Sequence, residues 1–170
     1  RIQRDVLDHK PDVVVIEFAC NDVRWEPEKR VELGEFRANL LEMVRRIRQV
    51  GAEMVITTPS PIIDAFHTYS QGIDFYRPWG GCHNALMEYD APIREVAEQE
   101  GLILCDVRAA FEEIALRCEF EGAIDDAADL RCLAPWIKPE DGVHPTLLGQ
   151  QVYAFAVYRV LRSRYLQLTG

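Results

Sequence analysis

Apolar positions along this chain alternate between two periods. Residues 12–18, "DVVVIEF", form a continuous β-branched run, which predicts a strand buried on both faces, as in a parallel sheet. From about 34 to 50, Phe36, Leu40, Met43, Val44 and Ile47 recur at helical spacing, and Gly51 supplies the C-terminal stop. "EMVITTP" at 53–59 and "LILCDV" at 102–107 read as two further strands. Residues 82–100 read as a helix with Leu86, Ile93 and Val96 inward and Gly101 closing it. Pro92 falls inside that pattern and predicts a kink or a restart. A short helix is expected around 108–117, and a last one, capped by Thr146, to about 165, with Val152, Phe155, Val160 and Leu161 packing. The opening "RIQRDVLDHK" has helical spacing at Ile2, Val6 and Leu7 and is cut off by Pro11, so it reads as the back half of a helix.

Strand and helix in alternation predict an α/β fold with a parallel sheet, and residues 1–170 read as one domain. Ligands in such sheets bind beyond the C-terminal ends of the strands. The loops at 19–27, at 60–80 and at "EDGVHPT" need to meet at that edge to form one site. The 60–80 loop carries Phe66, Tyr69, Phe75, Tyr76 and Trp79. Loops of that length in compact domains are usually functional or disordered, and the aromatic content disfavours disorder.

Composition narrows the partners. Hydrophobic residues make up 48% and charged residues 28%, as in an ordinary globular protein. A net charge of -9 argues against nucleic acid or an anionic membrane as the main partner, since both repel an acidic surface. The basic run "RRIRQ" at 45–49 falls on a predicted helix and reads as a solvated face. No apolar run approaches the roughly 18 residues of a membrane span. The five cysteines are odd in number and form no C-x-x-C pair, which disfavours a disulfide framework or a zinc ribbon. Free thiols slightly favour a reducing compartment such as the cytoplasm. No G-x-G-x-x-G or P-loop follows any strand, so nucleotide binding has little support.

Two short stretches carry candidate chemistry. In "KPEDGVHPTLLGQ", Asp141 stands three positions before His144. A serine hydrolase needs an imidazole to take the hydroxyl proton and a carboxylate to hold its tautomer. A Gly-containing loop can turn both side chains the same way, leaving Nε2 free. Alone, the pair also reads as an aspartate closing a turn and a histidine packing before a helix. In "VVVIEFACND", Asn21 follows the first strand, as an oxyanion donor or as an ordinary Asx turn.

Together, a strand ending in Asn-Asp and a "DGVHPT" segment opening the last helix resemble the SGNH hydrolase family, the GDSL esterases and lipases. "RDVLDHKPDVVVIEFACND", "FRANLLEMVRRIRQVGAEMVITTPSP" and "DAPIREVAEQEGLILCDV" are also similar to that family's body. The resemblance implies a three-layer α/β/α sandwich with a parallel sheet, of SGNH or flavodoxin-like type. It implies His144 as general base and then acid, Asp141 as its orienting partner, and Asn21 as side-chain donor of the oxyanion hole. The family usually has a glycine two residues before that asparagine, where this chain has Ala19.

The family's nucleophilic serine sits in a Gly-Asp-Ser motif that this sequence lacks. Of the serines, Ser60 lies in a Pro-rich loop that has no catalytic role in the family, Ser163 lies deep in the last helix, and Ser70 lies in the long loop. Cys20 adjoins Asn21, on the strand that supplies the oxyanion donor, and ranks below Ser60. The expectation is an N-terminally truncated domain whose N-terminal strands, including the nucleophile strand, are missing. "VVVIEF" then becomes an exposed apolar edge, and the isolated chain is expected to be poorly stable and inactive. The complete protein is expected to be a serine carboxylic-ester hydrolase working through an acyl-enzyme, with no metal or organic cofactor. Its substrate would be a small-molecule ester, an acetylated sugar or a short-chain lipid ester. The alternative is a non-catalytic binding module on the same fold.

Overall fold

The three apolar runs read as strands become the strands of one sheet. The computed structural model describes residues 1–68, 73–122 and 130–165. Among these, β1 (Val13–Ile16), β2 (Glu53–Thr57) and β3 (Ile103–Cys105) form a parallel sheet in the order β1-β2-β3. Val15 stands opposite Val55, and Val55 opposite Ile103. The α-helices among the described residues are α1 (Ile2–Asp5), α2 (Leu33–Gln49), α3 (Cys82–Met87), α4 (Asp90–Glu100), α5 (Val107–Phe120) and α6 (Leu147–Tyr165). The fold is the expected α/β class, with a parallel sheet flanked by helices.

The chain divides into two compact units. The first, Arg1–Thr58 with Glu88–Cys105, holds the sheet, α1, α2 and α4. Helix α2 buries Phe36, Leu40, Val44 and Ile47, the stripe its spacing predicts, with Met43 half-buried. Each such side chain contributes about 1.5–3 kcal/mol of hydrophobic stabilisation. Arg45 and Arg48 point outward and pair with Glu42 and Glu100, so the basic run is a solvated face.

The two-faced burial expected of residues 12–18 is not met in β1, whereas in β2 Met54 to Thr57 are all buried. There Val14 and Ile16 are buried while Val15 is 43% exposed and Phe18, just beyond, 46% exposed. The reason is position. β2 has a strand on each side, whereas β1 ends the sheet among the described residues, and its Val13–Val15 face is only partly covered.

The long helix expected at 82–100 is two helices, as Pro92 predicts by its restart option. Pro92 sits in the first turn of α4, where a helix needs no N–H from it.

The second unit, Pro59–Met87 with Asp106–Gly170, holds α3, α5 and α6. Its core includes Ile62, Ile63, Leu86, Phe111, Leu133 and Ile137. The Asp106 carboxylate caps α5 by accepting from the Ala109 amide at 3.0 Å. Thr146 caps α6 as expected, its Oγ1 accepting from the Gly149 amide at 3.3 Å.

The packing expected along α6 is corrected. Phe155 is 60% exposed, Val152, Val160 and Leu161 are only half-buried, and Gly149 is the one buried residue described in that helix. Apolar side chains lie all around α6, so one covered stripe cannot take them all. Tyr69, Ser70 and most of the acidic segment at 119–129 lie outside the described residues.

Candidate active site

The loop before α6 folds around one carboxylate. Asp141 Oδ1 accepts from the backbone amides of Val143 at 2.8 Å and His144 at 2.9 Å. Its Oδ2 lies 2.9 Å from His144 Nδ1. With Oδ1 already holding the backbone, the ring assigns its Nδ1 proton to Oδ2, and the neutral imidazole then presents a bare Nε2. No other hydrogen bond to the ring exists among the described residues, and the His144 side chain is 70% exposed. The pair sits where a reacting group has access.

Burial works to raise the Asp141 pKa. The two backbone amides and the imidazole outweigh it, so the carboxyl lies below its ordinary value. It stays ionised, as an orienting carboxylate must.

The loop itself is seated by its backbone. Lys138 and His144 are joined by an amide-to-carbonyl bond of 2.8 Å, and the Gly142 amide donates to the Lys138 carbonyl at 2.8 Å. Gly142 has φ +72 and lies against the turn at 63–67, with its carbonyl accepting from the Ile63 amide at 2.8 Å. A Cβ on Gly142 would stand 2.5 Å from the Ile63 carbonyl oxygen and 2.8 Å from the His67 nitrogen. Only glycine fits both the conformation and the space.

Asn21 belongs to the first unit. It occupies an exposed turn after β1, and its side chain makes no hydrogen bond among the described residues. The turn is tight. The Ala19 amide donates to Asp22 Oδ2 at 2.8 Å, and the Ala19 carbonyl accepts from Asp22 and Val23. Ala19 adopts φ +97, which explains why a glycine suits the position. Sequence reasoning missed Tyr89, which fixes the following loop. Its hydroxyl donates to the Val31 carbonyl at 2.6 Å and lies 3.1 Å from that of Asp22. Burial, with Asp22 and Glu32 nearby, pushes its pKa up to about 12, so it remains a donor. No sequence pattern marks that contact.

Of the other candidates, Ser60 is 6% exposed, which leaves its hydroxyl little access to a substrate. Ser163 lies near the far end of α6 and is exposed. Cys20 is half-buried in the turn beside Asn21. Phe75, Tyr76 and Trp79 of the long loop pack together in a 3-10 helix, Asp74–Trp79. Phe75 meets Tyr76 edge-on at 5.0 Å and Trp79 at 5.5 Å, while Trp79 stays 37% exposed. No helix among the described residues is long and apolar enough to cross a membrane.

Comparisons with known proteins bear on this arrangement. Residues 1–152, which include parts of both units, match the model of the GDSL-like lipase/acylhydrolase family. An acetylxylan esterase of Geobacillus stearothermophilus is 26% identical over 94% of this chain and 63% of its own length. A crystal structure of a catalytic mutant of that esterase superposes with a TM-score of 0.66 at 25% identity, covering 93% of this chain and 63% of the other. LAE5, an alpha/beta hydrolase from the metagenome of Lake Arreo, Spain, gives a TM-score of 0.64 at 25% identity, with the same coverage of 93% and 63%. Thus the chain spans 63% of the length of the curated esterase it matches. Catalytic mutants of the Geobacillus enzyme replace a serine, an aspartate and a histidine, the last two three positions apart.

Proposed function

This chain belongs to the GDSL-like lipase/acylhydrolase family, and from that premise we propose that it supplies the acid–base half of a serine ester hydrolase. The observation that carries the reading is the 2.9 Å contact between His144 Nδ1 and Asp141 Oδ2, with Nε2 left open. His144 Nε2 takes the proton of a serine hydroxyl as that oxygen attacks the ester carbonyl. Asp141 holds the ring and stabilises the imidazolium. The Asn21 side-chain amide is the donor for the oxyanion, a role worth on the order of 3 kcal/mol of transition-state stabilisation. The tetrahedral intermediate collapses to an acyl-enzyme, and His144 returns its proton to the leaving alcohol. Water, activated by the same nitrogen, then releases the acid.

The serine is the part assigned outside this sequence. In the Geobacillus esterase the mutated serine stands further before its aspartate than this sequence extends before Asp141. The substrate class is a carboxylic ester. Similarity to an acetylxylan esterase favours an acetylated sugar over a short-chain lipid ester.

A second reading is a non-catalytic binding module on the same fold, with which the burial of Ser60 is equally compatible. One experiment separates the two. The full-length protein is assayed for acetate release from an acetylated xylooligosaccharide and for hydrolysis of a short-chain acyl ester. His144→Ala is then expected to reduce turnover by several orders of magnitude while the circular dichroism spectrum is unchanged. Turnover that survives the substitution would remove His144 from the mechanism. A parent protein that binds the sugar without hydrolysing it would establish the binding module.

A further inference from the structure

A second histidine lies one hydrogen bond away from the segment that seats the Asp141–His144 loop. His83, at the start of α3, is half-buried, and its Nδ1 accepts from the Ile62 amide at 3.2 Å. The next amide, that of Ile63, donates to the Gly142 carbonyl at 2.8 Å. Gly142 is the residue between Asp141 and the two amides that Asp141 holds. Consecutive peptide groups, Ile62 and Ile63, therefore connect the His83 ring with the backbone of the candidate catalytic loop.

The connection is braced from the other side. Asp64 Oδ1 accepts from the Cys82 amide at 2.8 Å, and Asp64 Oδ2 accepts from the His83 amide at 3.2 Å. The 62–64 segment and the first residues of α3 are thus tied by a side chain from each partner. Both segments and the loop belong to the same compact unit.

The geometry points to His83 as a positioning residue that, through Ile62 and Ile63, sets Gly142 and so the aim of His144. It rests on the reading of His144 as the base. An accepting Nδ1 requires a neutral ring with its proton on Nε2. Protonation would turn that acceptor into a donor facing the Ile62 N–H. The charged groups facing the ring are Asp64 and Arg108. Burial lowers the His83 pKa, Arg108 acts in the same direction, and Asp64 opposes them, so the neutral ring is favoured.

The test uses the full-length protein with His83→Leu and His83→Asn. Leucine fills much of the ring's space without an acceptor. Asparagine fills less space but places an oxygen where Nδ1 stood. Three readouts are taken: hydrogen exchange at the Ile62 and Ile63 amides, the NMR resonance of the His144 Nδ1 proton, and kcat and KM for an acetyl ester. His83→Leu is expected to speed exchange at both amides, to weaken the His144 resonance, and to lower kcat on the order of 10- to 100-fold with KM held. His83→Asn is expected to keep all three near the parent.

An unchanged Ile63 exchange rate and His144 resonance in His83→Leu would overturn the assignment. So would equal losses in both variants, or better behaviour from leucine, since these mean that the ring only fills space. If leucine prevents folding, His83→Gln replaces it, because its acceptor reaches the Nε2 position and misses Ile62. The exchange and resonance readouts need no turnover. Intact coupling without ester hydrolysis would therefore refute the proposed activity alone, and hydrolysis without coupling would refute this positioning role alone.

Discussion

His144 Nδ1 lies 2.9 Å from one oxygen of Asp141, and the other oxygen of that carboxylate accepts the backbone amide of His144 itself. A single side chain thus holds both the ring and the backbone that carries it. Substituting Asp141 tests both functions. In Asp141→Asn the amide oxygen can keep the backbone bonds, but the NH2 then faces Nδ1. That nitrogen must become the acceptor, and the ring proton moves to Nε2, where it would block the base role proposed for His144. The expected loss in kcat is on the order of 10⁴-fold, the size found when the same change is made in a serine protease triad, with little loss of folded stability near neutral pH. The pH dependence supplies an independent readout. Asp141 has a folded pKa below its unfolded value of about 3.9, so its contribution to stability is full above that value and is lost as pH falls through the folded value. Urea midpoints measured from about pH 6 down to about pH 3 should fall less steeply in Asp141→Asn than in the parent. Identical slopes would mean that the carboxylate bonds contribute nothing to the folded state.

Gly142→Ala tests the seat beneath that pair. The substitution meets a φ of +72 and two backbone atoms, the Ile63 oxygen at 2.5 Å and the His67 nitrogen at 2.8 Å. Backbone cannot swing aside as a flexible side chain does. Destabilisation of about 1–3 kcal/mol is expected, read as a lower urea midpoint. A larger fractional loss in kcat than in stability should accompany it, because the displaced residue lies between Asp141 and His144. A midpoint within error of the parent would show that the loop does not rest on the 63–67 turn.

Local patterns made much of this legible. Short apolar runs located the three strands, because a strand of a parallel sheet covered by helices carries apolar side chains within a few consecutive residues. Pro92 marked the break between α3 and α4 because the missing N–H acts locally. The Asp141–His144 contact was readable for the same reason, as three positions on one turn can close on themselves. What escaped was long-range. Tyr89 reaches the carbonyls of Asp22 and Val31, and His83 reaches Ile62, across separations that no periodicity encodes. Phe155 shows the complementary error, since helical spacing says which residues share a face and not whether anything covers it.

The last prediction concerns Ala19, two residues before Asn21. Its φ of +97 is a conformation an L side chain rarely adopts, and holding it there costs about 1–3 kcal/mol. Ala19→Gly removes that strain. Two effects oppose the gain. Glycine adds about 0.5–1 kcal/mol of unfolded-chain entropy to be lost on folding. The methyl of Ala19 is fully buried, and its loss forfeits about 0.8 kcal/mol of apolar burial. At the middle of these ranges the balance favours glycine by about 0.5 kcal/mol. The urea midpoint should rise slightly with an unchanged m-value. Ester hydrolysis should stay the same, because the bonds from the Ala19 amide and carbonyl to Asp22 and Val23 are backbone bonds that glycine makes equally well. A lowered midpoint would mean that packing around the methyl outweighs the backbone strain, and that the turn carrying Asn21 is built around alanine.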